Sequence, residues 1–352
     1  MQYRRVAIES LGYTLPREVV TSADIEQRLA PLYQRLRLPE GRLELMTGIR
    51  QRRFFAPDTR PSTISIASAR RAIEASGIPA EEFGALVHGS VCRDFLEPAT
   101  ACRVHHELGL PESCTIFDVS NACLGLLTGA TQIANMIELG QIRAGVVVGT
   151  ECGRNLVEGT ISQLNRQSQL TRNDVKLAIA SLTIGSASAA IVLCDAELSR
   201  TGNRLLGGAT RARTTHHHLC QSQGMAELMQ TDSETLMREG VATGGATFDD
   251  LCQQLEISND QIDRTYCHQV GVAHRKLMFE RLGLDPAKDF ATLETLGNTG
   301  SAALPVTMAL GLEADAPPAG SLLALLGIGS GINCVMLAAE WHATQVAGGI
   351  ED

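Results

Sequence analysis

The sequence predicts an α/β fold built on a mostly parallel sheet, arranged as two duplicated halves. Three observations carry this. Short Val-, Ile- and Leu-rich runs alternate with longer segments of helical period, the pattern of βαβ units. Two segments echo each other: "GSASAAIVLCDAEL" from Gly185 and "GSGINCVMLAAEW" from Gly329 both run Gly-Ser, small residues, an apolar strand and an acidic residue. Finally, 352 residues, 44% of them hydrophobic, suffice for a large or doubled core.

Taken in order, "RRVAIESLG", "ALVHGSV", "CTIFDV", "AGVVVGT" and "SAAIVLCD" read as the strands of the first half. "RLLGGATRA", "RTYCHQV", "SLLALLGIG" and "NCVMLAAEW" read as those of the second. Helices are expected over residues 62–76, 98–108, 123–139, 222–240, 271–283 and 300–312. "DAELSRTGNRLL" (195–206) is the expected seam, dividing the chain into halves 1–195 and 196–352. Residues 154–180 and 213–250 read as polar, weakly patterned insertions, long enough to cover a substrate.

A net charge of −9, with 30 scattered Lys and Arg, argues against nucleic acid or an anionic membrane as partner. The ten Cys form no CxxC pair and no zinc-like spacing, so no metal is expected and a reducing, cytoplasmic compartment is. The N-terminus "MQYRRVAIESLGY" lacks an apolar signal region, and no run of 18 apolar residues predicts a membrane span.

Chemistry concentrates at "DVSNACLGLLTGATQIANMIELG", residues 118–140. Cys123 falls between an apolar strand and a helix whose apolar face is Leu124, Leu127, Ile133, Met136 and Ile137. A sharp strand-to-helix turn lifts a nucleophile out of a sheet. Helix-terminal N–H groups there are expected to favour thiolate and lower the pKa from about 8.5. A thiolate nucleophile needs a base, and His268 ends the strand "RTYCHQV" at the edge where α/β sites form. The "HHH" at 216–218 reads instead as a solvated loop. Asn298 in "LGNTGSAALP" marks a third corner. "LLGIGSGINC" lacks the GK[ST] of a phosphate loop but can present backbone N–H groups to a substrate oxygen. Singly, each residue also fits a structural role: a core thiol, a packed imidazole, a helix cap.

"DVSNACLG", "CHQV", "GNTGSAALP" and "GIGSGINC", in this order, resemble the thiolase-fold condensing enzymes of the β-ketoacyl-acyl carrier protein synthase III group over nearly the whole chain. The resemblance implies a five-layer α-β-α-β-α fold and a homodimer. It makes Cys123 the acyl-accepting nucleophile, His268 and Asn298 its partners, and the backbone N–H groups of Cys123 and Ser330 an oxyanion hole. "SVCRDFLEPATA" (90–101) and "LAPLYQRL" are similar to the OleA group, the head-to-head condensing enzymes of long-chain olefin biosynthesis. That likeness implies that Glu97 reaches the active site of the other subunit. Without it, Glu97 would simply precede a helix opened by Pro98. "TGIRQRR" resembles the family's mouth segment, which implies Arg50, Arg52 and Arg53 as contacts for a donor's phosphates. Acyl-CoA is then substrate, no cofactor is required, and later biosynthetic enzymes are possible partners.

A malonyl thioester loses carbon dioxide to give its enolate, so no base is needed. An ordinary acyl thioester must lose an α-proton to a base within reach, and a carboxylate in a dry pocket is a stronger base. Glu97 therefore implies a Claisen condensation without decarboxylation, giving a 2-alkyl-3-oxoacyl product. The alternatives are a malonyl-dependent synthase III, a dialkyl-pyrone-forming ketosynthase, and a non-catalytic partner subunit, against which the presence of Cys123, His268 and Asn298 weighs. A degradative thiolase would place a second Cys in the Gly-rich loop, whereas Cys334 falls in the strand after it.

Overall fold

The computed structural model describes residues 1–222 and 229–351. Its ten-strand path is best followed outward from the middle, where Val6–Pro16 meets Arg204–Ala212 through a single pair, Ala7 with Arg204. On one flank lie Ala187–Asp195, Ala144–Glu151, Phe83–Gly89 and Thr115–Val119. On the other lie Asn333–Trp341, Ser321–Gly329, Ile262–Cys267 and Asp289–Phe290. The strand order is the same on both flanks, and so are the directions. In each the three outer strands are parallel, and the two joints nearer the middle are antiparallel. The two echoing segments of the sequence supply equivalent strands, Ala187–Asp195 and Asn333–Trp341.

Helices Gly125–Glu138 and Ala303–Ala314 form the central layer. One apolar cluster joins Leu126, Ile133, Leu304 and Met308 to Val87 and Val147 of one flank and Leu325 and Leu337 of the other. Ala303–Ala314 is buried over almost its whole length, as a helix apolar on all sides must be. Pro61–Ser76 covers the outer face of the first flank through Ala69 and Ala72 against Leu86 and Val146. Ser233–Leu255 and Val272–Leu282 cover the second, through Phe248, Leu251 and Phe279 against Leu326 and Met336. The result is the five-layer α-β-α-β-α thiolase fold. Each fully buried Leu, Ile or Phe contributes about 2 kcal/mol to it.

Four expectations need correction. Residues 154–180 are not unpatterned: they form Arg154–Arg166 and Arg172–Leu182, the latter started by a capping box between Thr171 and Asp174. The helix expected at 222–240 runs instead over Ser233–Leu255, and residues 223–228 of that expectation lie outside the described residues. Its buried face is largely Gly240, Thr243, Gly244, Gly245 and Thr247, so it carries little hydrophobic signal. At Gly244 a Cβ would stand 2.7 Å from the Met278 Cε, so its glycine permits close packing on the neighbouring helix. Pro98 does not open the next helix, which starts at Thr100. There the Asp118 carboxylate accepts the N–H groups of Thr100 (2.8 Å) and Ala101 (2.9 Å), and those charge-assisted bonds mark the helix start. Finally, the sheet is not mostly parallel, since the five joints around its middle are antiparallel; the tail beyond Trp341 adds a strand, Val346–Glu351, parallel to Val6–Pro16. Among the described residues no helix is long and apolar enough to cross a membrane.

Candidate active site

Cys123 stands at the corner between Thr115–Val119 and Gly125–Glu138, just ahead of the helix rather than inside it as the expected span 123–139 has it. Ala122 before it adopts φ +45°, a left-handed conformation uncommon outside glycine, and this makes the turn sharp. The corner is pressed against the first flank's sheet: a Cβ on Gly125 would stand 2.7 Å from the Gly89 carbonyl carbon. On the other side comes the turn between Ser321–Gly329 and Asn333–Trp341. Gly329 there approaches so closely that a Cβ would lie 3.5 Å from the Cys123 nitrogen. The Ser330 N–H and the Cys123 N–H both reach the Cys123 sulfur. They are the two donors expected to form the oxyanion hole.

His268 and Asn298 arrive from the second flank. His268 follows strand Ile262–Cys267 and donates its backbone N–H to Leu326 O (3.0 Å), while its Nδ1 is buried without a partner. Asn298 is held by backbone bonds to Thr183 and Gly185, and its amide oxygen accepts the Gly300 N–H (3.0 Å). The amide NH2 is left for the cavity. That cavity, about 700 Å³, is lined by Cys123, His268, Asn298 and Ser330, with a wall that includes Leu156, Ile179, Met237, Val270 and Ile328. Both expected covering segments line it: Leu156 and Ile179 from one, Cys220, Leu236 and Gly240 from the other.

The electrostatics reverse one expectation. Cys123 is pushed up to about 12, first by burial, then by the nearby Glu151 carboxylate and by Cys220. The N–H groups of Ser330 and Cys123 lower it by less than this, and two neighbouring N–H groups are bonded within the turn, Leu124 N–H to Asn121 O (2.9 Å) and Gly125 N–H to Ala122 O. Burial and the neighbouring His274 push His268 down to about 3. The resting pair is therefore a thiol and a neutral imidazole.

Glu151 itself escaped the sequence reading. It closes the strand Ala144–Glu151, is 4% exposed and lines the cavity. The available signal was an acid directly after the apolar run "AGVVVGT", at the carboxyl end of a central strand. Lys176, another lining residue not foreseen, pairs with Glu234 at 3.5 Å.

The remaining expected residues lie elsewhere. Arg52 is fully buried, donates to Ser22 Oγ (3.1 Å) and Leu182 O (3.1 Å), and is pushed down to about 10 by burial, so it cannot meet a phosphate. Arg53 is tied to Pro16 O (2.8 Å), and Arg50 pairs with Glu294 (3.5 Å). None of the three lines the cavity. Glu97 is exposed and absent from the cavity lining of its own chain, on a loop that also exposes Val91, Phe95 and Leu96. Cys334 is buried in its strand, away from the cavity. Among the described residues no group of His, Cys, Asp and Glu is arranged to hold a metal.

Known proteins match this chain over most of its length. Residues 44–176 match the thiolase N-terminal domain, and residues 252–341 match the C-terminal part of 3-oxoacyl-[acyl-carrier-protein] synthase III. An acyl-CoA:acyl-CoA alkyltransferase of Shewanella oneidensis is 42% identical, over 97% of this chain and all of the relative. One from Xanthomonas campestris is 34% identical over the same share of this chain and all of that relative. Crystal structures of Xanthomonas campestris OleA superimpose closely. The form bound to cerulenin has TM-score 0.93 at 34% identity over 97% of this chain and 98% of that one. A cysteine-to-serine variant with bound lauric acid and lauroyl-CoA has TM-score 0.92 at 33% identity, over 96% and 100%. The chain therefore belongs to the OleA-type acyl-CoA:acyl-CoA alkyltransferases, condensing acyltransferases of the thiolase fold.

Proposed function

We propose that this enzyme joins two acyl-CoA molecules head to head, by a Claisen condensation without decarboxylation. The observation that carries the reading is the meeting of Cys123, His268, Asn298 and the Ser330 N–H in one apolar-walled cavity. In the first step the Cys123 thiol gives its proton to His268 as the sulfur attacks an acyl-CoA carbonyl. The proton then leaves on CoA as the C–S bond to CoA breaks. Cys123 now holds the acyl group, and His268 is neutral again. A neutral imidazole can donate from a ring nitrogen, so His268 and the Asn298 amide hold the thioester oxygen of the second acyl-CoA as its α-proton leaves. The resulting enolate attacks the Cys123 thioester, and the oxyanion rests on the N–H groups of Cys123 and Ser330. Collapse expels the Cys123 sulfur, which regains a proton. Both steps are acyl and proton transfers and call for no cofactor.

The base is Glu97 of a second copy. In the Xanthomonas campestris protein a glutamate, a cysteine and a histidine have each been replaced in solved structures. The replaced glutamate precedes the replaced cysteine by as many residues as Glu97 precedes Cys123. The exposed Val91, Phe95 and Leu96 beside Glu97 suit burial against another subunit, which makes the working unit a homodimer. All ten cysteines are free, as in a reducing cytoplasm.

The test is product analysis with lauroyl-CoA as sole substrate. A branched 3-oxo product formed without malonyl-CoA and without carbon dioxide release is expected. A strict need for malonyl-CoA would refute the reading and leave a chain-initiating synthase.

A further inference from the structure

The carboxyl of Glu151 sits beneath the catalytic residues, yet the mechanism above does not use it. One oxygen lies 2.5 Å from Ser301 Oγ and 3.2 Å from the Ser301 N–H, and the other lies 3.4 Å from Cys92 Sγ. Gly300, next to Ser301 and bonded to Asn298, has φ +56°, and a Cβ there would stand 2.9 Å from the Glu151 carboxyl carbon. Glu151 thus underpins the turn that presents Asn298.

Ser301 Oγ also lies 2.9 Å from the Gly89 carbonyl oxygen. A hydroxyl has one hydrogen. If Glu151 were ionised, Ser301 would face two acceptors and satisfy one, leaving a buried oxygen pair in repulsion. Both short contacts are made when Glu151 donates to Ser301 Oγ and Ser301 donates to Gly89. We propose that Glu151 is a positioning residue that rests protonated, and that its neutral carboxyl both holds the Asn298 turn and lets the Cys123 sulfur ionise during acyl transfer. Burial displaces its pKa in the direction this requires, upward.

Other titratable groups crowd the same space. Cys92 comes from the loop after Phe83–Gly89, Cys152 follows Glu151 itself, Cys220 faces the sulfur from a covering segment, and His268 with His274 approaches from the second flank. Ionised Glu151 would oppose thiolate at Cys123, Cys92 and Cys152 alike. A neutral Glu151 opposes none.

The inference rests on Cys123 being the nucleophile, and the experiment separates the two. Alkylation of Cys123 by iodoacetamide is followed by peptide mass spectrometry from pH 6 to pH 10, in the wild type and in Glu151→Gln. Glutamine keeps a donor for Ser301 and cannot ionise. The two proteins should react alike for as long as Glu151 keeps its proton, and any divergence at higher pH should make the variant the faster, by about tenfold if the carboxylate raises the Cys123 pKa by one unit. A variant already about tenfold faster than the wild type at pH 6, as it would be if Glu151 rested ionised, overturns the proposal for Glu151. If instead acyl-CoA fails to protect wild-type Cys123 from alkylation, it is the nucleophile assignment that falls. Should Glu151→Gln not fold, infrared difference spectra of the wild type on alkylation decide. A protonated-carboxyl band that shifts supports the proposal, and no such band overturns it.

Discussion

The two flanks of the sheet share one topology and present the same three corners to the active site, yet use them for different ends. After the second strand, one flank has the loop bearing Glu97, exposed in its own chain, while the other has His268, buried at the cavity. After the third strand, one has the Cys123 elbow, the other the turn bearing Asn298. Between the fourth and fifth strands, one flank inserts the helices Arg154–Arg166 and Arg172–Leu182, which roof the cavity. The other has only residues 330–332, a turn tight enough to aim the Ser330 N–H at the sulfur. A duplicated frame supplies equivalent positions at the carboxyl ends of strands. Loop length and one side chain at each position then decide which serves as proposed nucleophile, as proposed donor or as cover.

The sharpest way to break this comparison is to disable its two first-flank corners separately. Cys123→Ser should lower condensation at least about a thousandfold. Glu97→Gln should lower it by about 10²–10⁴ while still acylating Cys123, seen as a single acyl mass increment. Mixing the two variants should restore about a quarter of wild-type rate, because random exchange between two-fold dimers rebuilds one complete site in half of them. No restoration would mean that Glu97 serves its own chain or none.

A smaller effect tests the close contact that seats the elbow. Gly125→Ala sets a methyl against the Gly89 backbone and should cost about 1–3 kcal/mol in urea unfolding, with Cys123 reactivity disturbed as well. The corresponding change at Gly271, where a Cβ meets nothing within 4 Å, should leave stability nearly unchanged.

The smallest effect concerns pH. His268 and His274 are held down to about 3 and about 4, against 6.5 when unperturbed, so the unfolded chain binds their protons first. Their stabilisation is complete above pH 6.5 and is lost as pH falls toward the folded values, by about 1 kcal/mol per histidine for each unit. The melting temperature should drop between pH 6.5 and pH 5. The drop should shrink in His274→Asn, which leaves His268 in place.

Much of this was legible in the chain. Nine strands of the central sheet follow apolar runs that need no partner to be seen, because strands covered on both faces read as continuous Val, Ile and Leu. Cys123 and His268 follow such runs, whereas Asn298 follows the short helix Leu293–Leu296. The helix Ser233–Leu255 was displaced because its packing face is glycine and threonine, which look like loop until a neighbouring helix is set against them. Arg52 reads as a surface cation beside Arg50 and Arg53, and only the fold shows it buried beneath the covering helices.

What the sequence determined by itself is local: where the chain alternates, where it must turn, and which reactive side chains occupy the turns, since these depend on neighbours a few residues away. What the tertiary structure decided is the electrical state of those side chains. Burial in the dry cavity keeps Cys123 a thiol, outweighing the backbone N–H groups that pointed to thiolate. Desolvation and charge act through space over a few ångströms, among residues more than a hundred positions apart, and only folding brings them within that range.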